Sequence, residues 1–191
     1  MTKNYEESKG EKMSQAIHKP WIQNIKERRR GFLAIVLAVV IILMGIWKMY
    51  HILPNDFHTR QFKFLFKNYG SLARIALFFV LANYIFALIV QKRLANRWDI
   101  LKKWMISLSR FTRAYHTPIA ILAIGLIVLH VAGAFLYGFT FDFYYLSGFL
   151  ALLVLLPVPI SGLFRYRRMD RKWHLRFGLA FAVLFLIHAF L

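Results

Sequence analysis

Five apolar segments, each long enough to cross a bilayer, alternate with polar or basic segments along this chain. A transmembrane helix needs about 20 predominantly apolar residues. The five segments are 31–50, 70–91, 115–137, 144–164 and 173–191. The pattern predicts an all-α membrane protein, a bundle of five transmembrane helices within residues 31–191, preceded by a polar, basic tail over residues 1–30.

The distribution of Lys and Arg predicts how the bundle is oriented. The tail carries eight of them, loop 92–114 seven and loop 165–172 five, whereas loop 51–69 carries three and loop 138–143 none. Because basic loops remain in the cytosol, we expect a multi-pass protein of the plasma membrane with its N-terminus in the cytosol and its C-terminus outside. The third and fifth helices then run in the same direction.

Two further segments have the pattern of amphipathic helices. In segment 97–113, Trp98, Leu101 and Trp104 begin an apolar series at helical spacing, and basic residues fall between its members. The pattern predicts a helix that lies on the inner membrane face, and a solvated loop is the alternative. In the tail, Trp21 and its apolar neighbours could form a shorter interfacial helix.

The composition narrows the chemistry that the bundle can carry. Hydrophobic residues make up 59% of the chain, and there is no cysteine. The lack of cysteine excludes disulfides, iron–sulfur clusters and thiolate metal sites. The net charge of +18 is concentrated at the ends of the apolar segments, which favours contact with anionic lipid or an acidic partner over nucleic acid.

Two of the apolar segments have a histidine at each end. His116 and His130 flank one in the third helix, His174 and His188 flank one in the fifth, and both spacings are fourteen residues. Over fourteen residues an α-helix rises about 21 Å and ends about 40° short of four full turns. The two histidines of each helix therefore lie on nearly the same face. Parallel helices would bring His116 opposite His174, and His130 opposite His188.

Facing imidazoles are suitable axial ligands for a six-coordinate b-type haem. We therefore predict that the four histidines bind two haem b groups by bis-histidine ligation, one near each membrane surface. The alternative is that the histidines hydrogen-bond between helices or reach the interface. A non-haem metal ion would need three or four converging ligands. The other histidines, His18, His51 and His58, are expected at the surface.

Residues between the histidines complete the predicted site. Phe181 is midway along its segment, so it would lie between the haems or belong to the ordinary core. Ala123 is the matching position on the third helix. A small residue there, with Gly125 and Gly178 nearby, would let a flat macrocycle approach the helix backbones.

Proline interrupts the fourth apolar segment at Pro157 and Pro159. Proline removes a backbone N–H and usually kinks a helix. The kink could make room for a porphyrin, or it could serve helix packing alone.

Haem propionates are anionic and need cations at each membrane surface. The inner candidates are Arg113, Arg165, Arg168 and Arg176. The best outer candidate is Arg74, about one turn inside the second helix, although its side chain could instead extend to the interface.

The arrangement resembles the ferric reductase-like transmembrane domain that ferric reductases and NADPH oxidases share. In that family two histidines on the third helix face two on the fifth, and an aromatic residue can lie between the haems. The matching positions are His116, His130, His174 and His188, with Phe181 between, and the resemblance covers residues 70–191. The family commonly has a sixth helix, and its larger members carry a flavin and nicotinamide domain. Neither is recognisable in this sequence.

The resemblance implies transmembrane electron transfer through two stacked haems, from a cytosolic donor to an acceptor outside. The donor would be a separate flavoprotein or a quinol, on which any oxidoreductase activity would depend. An acidic flavoprotein would dock on the basic segments 97–113 and 165–172, although their charges could serve only topology and lipid binding. The alternative functions are a quinol-linked cytochrome b subunit of a respiratory complex and a non-redox accessory subunit.

Overall fold

The computed structural model describes residues 24–52, 56–94, 97–164 and 171–190. Every regular element within these ranges is helical. The helices are α1 (Ile25–Tyr50), α2 (Arg60–Gln91), α3 (Asp99–Tyr137), α4 (Phe143–Leu155), α5 (Pro157–Phe164) and α6 (Arg171–Phe190). Five stretches are long and apolar enough to cross a membrane, with α4 and most of α5 forming one of them. The predicted all-helical architecture with five candidate spans is confirmed, while Trp21 and His18 lie outside the described residues.

Three helices, α1, α2 and α3, begin six or more residues before their apolar segments. α1 begins at Ile25, where the side chain of Asn24 accepts hydrogen bonds from the backbone N–H groups of Lys26 and Glu27. α2 begins at Arg60, where the hydroxyl oxygen of Thr59 accepts from the N–H of Phe62 at 3.3 Å. These side chains satisfy backbone donors that the first helical turn leaves unpaired. The segment expected as loop 51–69 is therefore helical from Arg60 onward.

The amphipathic segment 97–113 is helical from Asp99, but it is not a helix of its own. It forms the first turns of α3, which has 39 residues and is therefore about 58 Å long. At the other end, α3 stops at Gly138, whose φ of 116° is favourable for glycine and strained for other residues. The expected break between an interfacial helix and a span is absent from this part of the chain.

The proline-containing segment is divided between two helices at Pro157. α4 ends at Leu155, Leu156 keeps helical backbone angles with φ −52° and ψ −48°, and Pro157 is the first residue of α5. Proline is tolerated at this position because the first residues of a helix have no intrahelical partner for their N–H. The interruption separates two short helices that both pack against α6.

The six helices form two groups. α3 packs against α1 and α2, and α6 packs against α4 and α5. Between the groups, the described helix backbones rarely approach each other closely. An apolar cluster fills the middle of the space between them, with Leu77 from α2, Ala123 from α3, Leu155 from α4 and Phe181 from α6. The histidines of α3 and α6 lie on either side of this cluster.

Small residues let α1 approach α3 closely. The buried residues of α1 are Gly31, Ala34, Ala38, Gly45 and Met49. A Cβ atom added to Gly125 would lie 3.3 Å from the Cβ of Ala38. Gly125 therefore admits α1 and not a macrocycle, which corrects the expectation from sequence. No described atom outside its own helix lies within 4 Å of the corresponding position at Gly178, so the surroundings of that glycine are open.

Candidate cofactor site

The four histidines form two pairs between α3 and α6. His116 and His174 are the first pair, with ring centroids 6.4 Å apart, and His130 and His188 are the second pair, with centroids 6.3 Å apart. The ring planes meet at 82° in the first pair and 57° in the second. The pairing and the parallel direction of the two helices agree with the expectation from sequence.

The distance within each pair suits two imidazoles on opposite sides of one metal ion. A metal–imidazole bond is about 2.0 Å long and a ring nitrogen lies about 1.1 Å from its centroid, so trans ligands have centroids about 6.2 Å apart. This geometry leaves the angle between the ring planes free. Among the described residues, no group of three or more His, Cys, Asp or Glu side chains converges on a possible metal position. Pairwise ligation is the arrangement that fits a haem iron, whose other four ligands belong to the macrocycle.

Backbone carbonyls orient the imidazoles of His130, His174 and His188. Nδ1 of His130 lies 2.9 Å from the carbonyl oxygen of Phe66, Nδ1 of His174 lies 3.0 Å from that of Val158, and Nδ1 of His188 lies 3.1 Å from that of Tyr144. A carbonyl oxygen only accepts, so Nδ1 carries the proton in each ring. Nε2 then carries the lone pair that a metal ion requires, and the hydrogen bond fixes the ring orientation.

Glycines stand where these three rings meet the neighbouring helices. A Cβ on Gly70 would lie 2.7 Å from Nδ1 of His130, and one on Gly148 would lie 2.7 Å from Cε1 of His188. At Gly162 the distance to Cε1 of His174 would be 3.3 Å. The first two distances are shorter than a carbon atom tolerates. Glycine is therefore required for the second pair to adopt its position.

A cavity of about 370 Å³ adjoins the second pair. Its lining includes His130, His188, Phe181 and the cations Lys67 and Arg74. The volume falls within the range of pockets that hold small molecules and cofactors, about 300–1,000 Å³. The lining is mostly apolar with a few polar groups, which suits a flat apolar macrocycle with anionic substituents.

Phe181 occupies the predicted position between the pairs. Its side chain is buried in the cluster that contains Ala123, which is fully buried. Phe181 also stacks on Phe185, with ring centroids 6.0 Å apart. An apolar, partly aromatic partition therefore separates the surroundings of the first pair from those of the second.

The predicted cations have different positions. Arg74 is half-buried, lines the cavity and donates from Nη1 to the carbonyl of Ala189 at 3.4 Å. Arg113 and Arg176 are both exposed, and the guanidinium of Arg176 lies 5.2 Å from the ring centroid of Trp173. The structure thus brings Arg74 to a histidine pair and leaves the other two at the surface. Arg165 and Arg168 lie outside the described residues.

Two cations near the pairs were not predicted. Lys67 lines the cavity together with Arg74, seven residues further along α2, and this spacing places them on one helix face. Arg30 contacts the two residues that precede His116: its guanidinium carbon is 4.9 Å from the ring centroid of Tyr115, and its Nη1 donates to the carbonyl of Ala114 at 3.5 Å. The helical spacing could have revealed Lys67. The position of Arg30 is evident only from the packing of α1 on α3.

His51 and His58 are exposed, in agreement with the expectation for surface histidines. Nδ1 of His51 lies 2.9 Å from the carbonyl oxygen of Trp47 in its own helix. The ring of His58 lies 6.1 Å from that of Tyr137. Neither ring belongs to the two pairs between α3 and α6.

The two histidine pairs are the feature from which a function has to be argued. Their centroid distances, their oriented rings and the adjoining cavity are observed in this structure and do not rest on similarity to another protein. The resemblance to the ferric reductase-like domain remains a prediction. The chain matches no family model, no curated protein and no solved structure.

Proposed function

We propose that this chain is a membrane cytochrome of the b type that holds two haems and carries electrons across the bilayer. The observation that supports the proposal is the pair of His–His distances, 6.4 and 6.3 Å, at two levels of the same two parallel helices. His116 and His174 would hold one haem, and His130 and His188 the other. A single such pair is a weak indication, but helix packing alone does not require two of them at a matched fourteen-residue spacing.

The residues of the chain supply binding, orientation and exclusion of water. When bound, a bis-imidazole haem b supplies one-electron chemistry through its iron. The carbonyls of Phe66, Val158 and Tyr144 hold the Nδ1 protons and so present Nε2 as the ligand atom. The buried cluster around Phe181 keeps water from the space between the pairs. Lys67 and Arg74 offer positive charge to anionic substituents beside the second pair.

The direction and partners follow from the charge distribution. The tail and the loops 92–114 and 165–172 carry most of the Lys and Arg, which favours the cytosol for the end of the bundle that holds the first pair. Electrons would enter there from a separate acidic flavoprotein or a quinol and leave from the second pair to an acceptor outside. The exposed side chains of Lys102, Lys103 and Arg113 would attract an acidic donor at long range.

A second candidate is a non-redox membrane subunit in which the histidines only join helices. The hydrogen bonds of His130 to α2, and of His188 to α4, favour it, because interhelical hydrogen bonds of this kind also stabilise helix packing. That function does not require the two rings of each pair to lie at the distance of trans ligands.

The haem content of the purified protein tests the proposal. We expect two haems per chain by pyridine haemochrome assay and a low-spin b-type spectrum on reduction. The variant His51→Ala is the matched control, because the ring of His51 is exposed and lies against Trp47 and Tyr50 of its own helix; it should keep both haems. Protein that is folded but lacks haem after expression with excess haem would refute the proposal and favour the non-redox subunit.

A further inference from the structure

A Ser-Gly pair occurs twice at the helices that face α6. Ser147–Gly148 belongs to α4 and Ser161–Gly162 to α5, and they are fourteen residues apart. This is the same spacing as that between His174 and His188. Because α6 runs antiparallel to these helices, the earlier pair meets the later histidine. Gly148 is next to His188, and Gly162 is next to His174.

The two sites have the same hydrogen bonds. The hydroxyl of Ser147 donates to the carbonyl of Tyr144 at 2.9 Å, and its oxygen lies 3.3 Å from Nδ1 of His188. Nδ1 of His188 also lies 3.1 Å from the same carbonyl. At Ser161–Gly162, the hydroxyl of Ser161 likewise donates to the carbonyl of Val158 at 2.8 Å.

The protons at these sites can be assigned from the acceptors. At Ser161–Gly162, Nδ1 of His174 lies 3.3 Å from the oxygen of Ser161 and 3.0 Å from the carbonyl oxygen of Val158. The serine proton is used on the carbonyl, so the serine oxygen accepts from the imidazole. Each Nδ1–H is therefore shared between a hydroxyl oxygen and a carbonyl oxygen. Two acceptors hold the ring more firmly than one and increase the electron density on its other nitrogen.

Gly148 and Gly162 let the imidazole rings approach the hydroxyl and carbonyl oxygens that accept from Nδ1. A Cβ at Gly148 would lie 2.7 Å from the ring of His188, and a Cβ at Gly162 would lie 3.3 Å from that of His174. A serine whose hydroxyl bonds the carbonyl one turn earlier is common in helices. Here the same oxygen also faces an imidazole on another helix, and this occurs at both copies.

The site on α2 provides an internal comparison. His130 bonds the carbonyl of Phe66, and Gly70 lies against its ring, as in the other two sites. The position before this glycine is Tyr69 and not serine. The carbonyl is thus the described acceptor for Nδ1 of His130, whereas His188 in the same pair has a carbonyl and a hydroxyl.

We propose that Ser147–Gly148 and Ser161–Gly162 are two copies of one imidazole-positioning unit, in which the glycine admits the ring and the serine oxygen shares its Nδ1 proton. The inference rests on the proposed function, since it makes Ser147 a positioning residue for the haem of the second pair and Ser161 for that of the first pair. The sequence repeat then reflects the distance between the two haem sites.

Ser147→Ala and Ser161→Ala test the unit, and each variant is the matched control for the other. We expect Ser147→Ala to change the midpoint potential and the ferric EPR signal of the second-pair haem alone, and Ser161→Ala those of the first-pair haem alone. The threonine variants, which keep the hydroxyl, should restore the unmodified values. Haem content is measured in every variant, so that loss of folding is recognised. The two haems are distinguished by the spectra of His130→Ala and His174→Ala.

Two results would overturn the unit while leaving the proposed function intact. One is a protein that holds two haems whose potentials and EPR signals are unchanged in both alanine variants. The other is a change of both haems in each variant, which would indicate a general effect on packing.

Protein that holds no haem would refute the proposed function, and the unit would then be tested in that same protein. With histidine labelled with ¹⁵N, the Nδ1 resonance of His188 should move in Ser147→Ala and stay unchanged in Ser161→Ala. Unchanged resonances in both variants would refute the unit as well.

Discussion

The two histidine pairs have nearly equal ring distances but different surroundings. In the second pair, both rings lie against glycines at which an added Cβ atom would be only 2.7 Å away, and the rings of Phe66 and Tyr144 lie 5.8 and 4.7 Å from the imidazoles. In the first pair, Gly162 leaves 3.3 Å beside His174. At the glycines that the structure describes, the second pair is therefore more tightly enclosed than the first.

The charges around the two pairs also differ. Beside the second pair the cavity is lined by two cations, Lys67 and Arg74. The end of the bundle with the first pair has Arg30 on Tyr115 and the basic segment that begins α3. Helix geometry thus sets the distance between the paired histidines, whereas the neighbouring helices set how much each site tolerates a change in volume or charge.

The largest expected effect comes from removing single histidines. The proposed function predicts that replacing His130 or His188 by alanine eliminates the proposed haem of the second pair and keeps that of the first, because each proposed haem site needs both rings of its pair. Replacing His116 or His174 should have the converse effect. Haem-to-protein ratios should fall from two to one in each case. Loss of the same haem in the His130 and His174 variants would contradict the pairing.

The difference in enclosure is tested by adding a methyl group. Gly70→Ala and Gly148→Ala should displace a ring of the second pair and reduce occupancy of its haem severalfold, since the added Cβ would lie 2.7 Å from the imidazole. Gly162→Ala, at 3.3 Å, should have a smaller effect on the first pair. Gly178→Ala is the control, because no described atom outside its own helix lies within 4 Å of its added Cβ. Equal effects at all four glycines would remove the steric distinction between the pairs.

The charge difference is tested at Lys67 and Arg74. Neutralising both to glutamine should lower the midpoint potential of the second-pair haem, because nearby positive charge disfavours the oxidised state of the iron. A charge about 10 Å away contributes about 1–2 kcal/mol at an effective dielectric constant of about 20. The potential of the first-pair haem should stay unchanged in a redox titration. Lys63→Gln is the control, since Lys63 lies over Tyr137 and does not line the cavity.

The smallest effect is expected at the loop beside the second pair. Asp142 caps α4, and the N–H of Tyr145 and the hydroxyl of Thr140 lower the pKa of its carboxyl group below the usual value. A lowered folded-state pKa gives stability that is present above the unfolded-state pKa and is lost as the pH falls through the folded-state pKa.

This capping contribution is measured by thermal unfolding at neutral and acidic pH. Asp142→Ala should lower the midpoint slightly at neutral pH, and less in acid. Asp142→Asn keeps a capping oxygen without a titrating group. It should therefore remove the part of the pH dependence of the unfolding midpoint that comes from Asp142. A midpoint of Asp142→Ala equal to that of the unmodified chain at neutral pH would show that the cap is dispensable.

The sequence by itself determined the helical class, the candidate spans and the histidine pairs. Apolar length identifies a span because a bilayer has a fixed thickness, and the fourteen-residue spacing places His116 and His130 on one face because the helical period is fixed. Hydropathy did not predict the helix starts at Ile25 and Arg60, or that segment 97–113 continues without a break into α3. Polar residues continue a helix beyond the apolar segment without a signal in hydropathy.

Only the tertiary structure decided which neighbours surround each ring. Ser147, Ser161 and the glycines beside them are ordinary residues in the sequence until α6 is packed against α4 and α5. Gly125 had been expected beside a cofactor, but it faces Ala38 of α1. Helical periodicity fixes which residues share a face of one helix. Which helix lies opposite that face depends on side-chain packing between segments far apart in the chain, and no local pattern records it.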